Sequence, residues 1–84
     1  MSVVEQIWLC DAWIDRLSVL RDAATQTVKN NPDLDPTIRT RVLECRLEVE
    51  SVLASFIQER DKLRKLVEDE IRRDNSDAIP PTPQ

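Results

Sequence analysis

The side chains able to do chemistry in this chain are few in kind. Two thiols, Cys10 and Cys45, sixteen carboxylates and twelve lysines and arginines make up the reactive set, and histidine, tyrosine and glycine are all absent. A cysteine or serine nucleophile is normally activated by a neighbouring base, most often histidine, and none is present to serve. Paired carboxylates act as acid and base only where an enclosed site drives their pKa values apart. Here they are spread along segments with the spacing of solvated helix faces. A phosphate cradle needs glycine for close backbone approach. Two cysteines without histidine do not complete a familiar zinc set. The expectation is therefore a protein that is not an enzyme, with no cofactor, no metal and no small-molecule substrate.

Binding chemistry has two further candidates. Arg60, Lys62, Arg64 and Lys65 form a basic cluster, but Glu59, Asp61 and Glu68 to Glu70 surround it. Phosphate-backbone affinity requires uncompensated positive charge. From Pro36 to Asp74 nine basic residues face nine acidic ones, and the formal net charge of −4 comes mainly from Asp33, Asp35 and Asp77. A salt-bridged helix face accounts for the cluster better than nucleic-acid binding does. Trp8, Trp13 and Phe56 are the whole aromatic complement, too few for a base-stacking platform. The end of the chain, Ile79 to Gln84, holds a minimal P-x-x-P and a Thr-Pro, both short and common patterns.

The elements that carry these residues are helices. Ser2-Val3-Val4-Glu5 is a capping box, and an apolar 3-4 repeat follows it through Val3, Ile7, Cys10, Ile14, Leu17, Ala24 and Val28, with Arg21 the one polar member. Leu9, Trp13 and Leu20 widen that stripe, while Trp8 and Val19 lie on the far side. Pro32 disfavours helical geometry at Asn31, and asparagine tolerates the left-handed conformation that often ends a helix. A helix over 3–29 and a turn over 30–35 are expected. Asp35-Pro36 then supplies a cap and a preset first residue for a second helix over 36–74, with no Pro or Gly before Pro80. Its 3-4 line runs Ile38, Val42, Cys45, Val49, Val52, Phe56, Leu63 and Leu66, interrupted by Glu59. Leu53, Ile57, Val67 and Ile71 flank it. Three acid-before-base pairs, Asp61–Lys65, Glu68–Arg72 and Asp69–Arg73, support an exposed helix. Residues 75–84 form a proline-containing tail, expected to be disordered.

Folded back on itself, such a chain has arms of unequal length. Pairing Lys29 with Pro36 sets Val3 against Lys62, Cys10 against Ser55, Cys45 against Leu20 and Arg21 against Glu44. The thiols then stand about 15 Å apart along the hairpin, too far for a disulfide, and are expected to be small reduced core residues. Leu63, Leu66, Val67 and Ile71 are left as overhang. Chains this short rarely stabilise a core by more than about 3–5 kcal/mol, so covering that stripe matters. The sequence predicts an all-α antiparallel helical hairpin with a longer second helix, coiled-coil-like, paired as a dimeric four-helix bundle.

The expected role is assembly. Interface residues are Trp8, Val49, Val52, Phe56, Leu63, Leu66, Val67 and Ile71, and the partner is a second copy or a helix of another protein. No run of 18 apolar residues exists and the amino terminus lacks the pattern of a secretory signal. With two cysteines and no disulfide framework, the expected location is intracellular, in cytoplasm or nucleus.

Overall fold

The computed structural model describes the backbone of residues 1–78 and the side chains of residues 1–74. It is an all-α hairpin of two helices, α1 (Val3–Asn30, 28 residues) and α2 (Pro36–Ala78, 43 residues), packed against each other with no strand among the described residues. α2 runs past Asp74, where the sequence placed its end. The P-x-x-P and Thr-Pro lie outside the described residues.

Local chemistry sets the helix ends. Ser2, extended at φ −70° and ψ 163°, accepts from the Glu5 amide at 3.1 Å through its hydroxyl, which satisfies one of the free N–H groups of the first turn. The reciprocal half of the box, Glu5 to the Ser2 amide, is not made, and the Gln6 side-chain amide instead donates to the Met1 carbonyl at 3.2 Å. At the other end, Asn31 does not enter the left-handed region. It sits at φ −127° and ψ 72°, and its side-chain amide donates to the Thr27 carbonyl at 2.8 Å. The terminator therefore works through its side chain, and no non-glycine residue among those described needs a positive φ. The Leu34 amide closes a turn on the Asn31 carbonyl at 3.0 Å. Asp35 then accepts from the amides of Thr37 at 3.0 Å and Ile38 at 3.4 Å, the cap that the Asp-Pro pair implied.

The hairpin is a slab one helix thick. Its principal extents are 76 × 27 × 14 Å, and its radius of gyration of 20.8 Å compares with about 12 Å for a compact domain of this length. Only Val49, at 7% exposure, and Leu53, at 5%, are buried among the described side chains. Such a slab shields the line where the two helices touch and little else.

That line follows the expected stripe on α1, where Val3, Ile7, Cys10, Ile14, Leu17, Arg21, Ala24 and Val28 are all half-buried. On α2 it is rotated by one position. The residues turned towards α1 are Val42, Arg46, Val49, Leu53, Phe56, Arg60, Leu63 and Val67, whereas Cys45, Val52 and Leu66 of the expected line are exposed. The apolar sector of α2 is wide enough for either choice. The observed one places Leu53 at the centre and lets the Arg46 and Arg60 stems lie along the contact while their charged ends find carboxylates, Glu50 for the first and Asp11 for the second.

The overhang is also smaller than the arm lengths implied. Leu63 and Val67 are half-buried, and only Leu66, at 55%, and Ile71, at 53%, stand open. Side chains on a helix lean towards its own N-terminus, so Leu63 reaches back over the last stretch covered by α1. Val67 is flanked one turn away on either side by Leu63 and Ile71.

Candidate interaction surface

Rotating the contact line leaves one broad face of the hairpin apolar. At its centre is an open groove of about 500 Å³ between the helices, walled by Leu9 and Cys10 of α1 and by Val52, Phe56 and Leu63 of α2, with Gln6, Ser51, Ser55 and Glu59 at the rim. Beside it the Trp13 ring stacks on Phe56, with centroids 6.4 Å apart and planes 12° off parallel. The Arg16 guanidinium stands 5.1 Å from the Trp13 ring centre, a cation–π contact from the solvent side. Stepping by seven residues, about two helical turns, extends this face to Leu20 on α1 and to Ile38, Cys45 and Leu66 on α2. Leu9, Trp13, Leu20, Ile38, Val52 and Leu66 are each between 41% and 55% exposed. Such a concentration of half-open apolar groups differs from the isolated exposed hydrophobic residue of an ordinary surface.

The opposite side carries an ionic bridge between the helices, beside exposed Val4 and Trp8 of α1 and Leu47 of α2. Asp11 lies two positions from Leu9, about 200° around the helix, and both of its oxygens are engaged by α2: Oδ1 accepts from Arg60 and Oδ2 from Arg64, each at 3.4 Å. This bridge was legible only once the register was known, because three turns of helix offer Asp11 several arginines. The basic cluster is salt-bridged, as its acidic surroundings imply. Arg60 binds Asp61 as well as Asp11, and Lys62 binds Glu59, so three of its four cations already have carboxylate partners. Replacing Asp11 by Asn should lower stability by about 0.2–1 kcal/mol per lost pair, and the loss should shrink at molar salt. Urea midpoints of the two proteins at low and high salt check this.

The other expected pairs fall differently. Arg21 binds its neighbour Asp22 at 3.3 Å and Glu44 binds Arg41 at 3.7 Å, so the cross-hairpin Arg21–Glu44 pair is replaced by partners on each helix. Of the acid-before-base pairs near the end of α2, the contact made is Asp69 to Arg72 at 3.9 Å, one residue shorter than expected.

The expected interface residues separate into groups. Val52 and Leu66 lie on the apolar face, with Phe56 and Leu63 in its groove, while Ile71 is exposed further along α2. Val49 is interior to the hairpin, and Val67 is half-buried along the contact line. Trp8 stands apart, 79% exposed on α1. Leu9, Trp13 and Leu20, which the periodicity presents only as a widening of the stripe, belong to the open face. Both thiols are free, but Cys10 is half-buried and Cys45 exposed, so Cys45 is not the core residue expected of it. The reason is the rotation of α2, which carries Cys45 outward together with Val52.

Among the described residues, no group of three or more His, Cys, Asp or Glu is gathered as a metal site, and no helix is long and apolar enough to cross a membrane. Comparison with protein-family models, with curated proteins and with solved structures returns no match to the chain.

Proposed function

We propose that this protein is a non-catalytic oligomerisation module that supports the assembly of a larger complex by pairing with itself through its helices. The observation that carries this reading is the open apolar face centred on Leu9, Trp13, Val52 and Phe56. A slab 14 Å thick buries only two of the described side chains by itself, a small core for a chain of 84 residues. Placing two such faces together would enclose the groove residues of both copies and convert two hairpins into a four-helix bundle, the usual way for helix pairs of this size to gain an interior. The acidic and basic groups stay at the rim and on the opposite face, where water keeps them solvated.

Light scattering coupled to size-exclusion chromatography on the purified chain tests the reading. A mass of two chains, with a melting temperature that rises with protein concentration, is expected. A monomer throughout the micromolar range with a concentration-independent melt would remove self-association and leave the face to a helix of a different protein.

A further inference from the structure

Beside the apolar row of α2 runs a second row at the same seven-residue spacing: Arg41, Glu48, Ser55, Lys62 and Asp69. Ser55 shares the groove with Val52, and steps of two helical turns keep the other four on the same side. All five are exposed. Read from Arg41, the row is plus, minus, neutral, plus, minus. Reversing its direction exchanges every sign about Ser55. Arg41 then meets Asp69, and Glu48 meets Lys62. A row with this property is complementary to itself only when two copies run in opposite directions. Run in the same direction, it sets each ion against its own kind.

The apolar row supports the same arrangement. With opposite directions and the centre near Ser55, Val52 of one copy reaches Phe56 of the other. Leu66, 55% exposed, reaches the Val42 to Cys45 stretch of the second copy. Glu59, the one charged member of the row, is kept away from its counterpart. The area suffices as well. The stretch from Ile38 to Leu66 is about 42 Å long at 1.5 Å per residue. Over a slab 27 Å wide this gives on the order of 1,100 Å² per copy, above the roughly 800 Å² per partner of a standard stable interface.

We infer that a second copy of this chain docks on the apolar face with its α2 antiparallel to the first, the two-fold axis passing beside Ser55. Arg41 pairs with Asp69 and Glu48 with Lys62 across it. Trp13, stacked on Phe56, comes close to the axis in both copies. The inference rests on the proposed self-association and adds its direction and register.

Charge reversal tests it. Glu48→Lys and Lys62→Glu are made singly and together in the full chain, and dimer dissociation constants are measured by sedimentation at low salt, with circular dichroism confirming the helices. Each single reversal spoils two symmetric pairs and is expected to weaken the dimer about tenfold, and the double reversal is expected to restore it. Single losses without recovery in the double variant would overturn the pairing, because the effects would then belong to each helix separately. Four proteins with the same dimer constant would overturn the antiparallel register while leaving self-association standing. Absence of any dimer in the native chain would overturn both. A spin label at Leu66→Cys, in a background of Cys10→Ser and Cys45→Ser, gives an independent reading. Label separations near 35–40 Å across the dimer are expected, and separations under about 20 Å would overturn the arrangement.

Discussion

Replacing Leu53 by Ala is expected to leave a chain that is largely unfolded at micromolar concentration. Leu53 is 5% exposed and lies at the centre of the contact line, one of two buried side chains among those described. Truncating a buried leucine typically costs about 2–5 kcal/mol, and the lower end applies only where neighbours can collapse into the space. A slab one helix thick has few neighbours to move. A domain this small holds about 3–5 kcal/mol in all, so the loss is comparable to the whole. Far-UV circular dichroism should lose well over half its helical signal. Leu47→Ala on the same helix, at a position 66% exposed, should alter the melt by no more than about 0.5 kcal/mol. Full helicity in the Leu53 variant, with a melt displaced by a degree or two, would mean that the contact between α1 and α2 is not what holds the hairpin.

The adjacent residue should behave in the opposite way. Val52 is 46% exposed at the groove, so Val52→Lys can keep its charge in water while the chain is alone. Enclosing that charge against an apolar surface without a partner costs several kcal/mol, which corresponds to a hundredfold or greater weakening of association. The expected protein is a helical monomer by sedimentation, whose melting temperature is lower than that of the native chain and no longer depends on concentration. An unchanged association constant would exclude this face. Two neighbouring positions thus separate folding from assembly.

The same two positions show how far the sequence could be read. Helix starts were legible because caps are local: Ser2, Asp35 and Pro36 act within one turn, and the structure places them where their types imply. The α1 stripe was legible because its 3-4 repeat runs unbroken in spacing from Val3 to Val28, with the extra apolar residues Leu9, Trp13 and Leu20 confined to one flank. On α2 the sector is wider than one contact line, and periodicity alone allows Val52 or Leu53 to face inward. What decides is the partner helix. Asp11 draws Arg60 and Arg64, Trp13 meets Phe56, and these long-range contacts turn α2 so that Leu53 goes in. No single-strand pattern contains that information. The same turn explains why Cys45 is exposed and why Leu9, Trp13 and Leu20 belong with Val52 on one face. The overhang was overestimated for a simpler reason, since counting Cα positions ignores the backward lean of Leu63.

The placement of the two buried side chains, both on the middle turns of α2, has a mechanical consequence. The hairpin resembles a pair of tweezers joined at residues 31–35 and gripped halfway along the blades. Small openings should start at the free tips, where Val3 and Val67 meet water, and travel inward until the grip at Val49 and Leu53 gives way. Deuterium uptake would then be graded along the rod, fastest at the open end and slowest at the pinch.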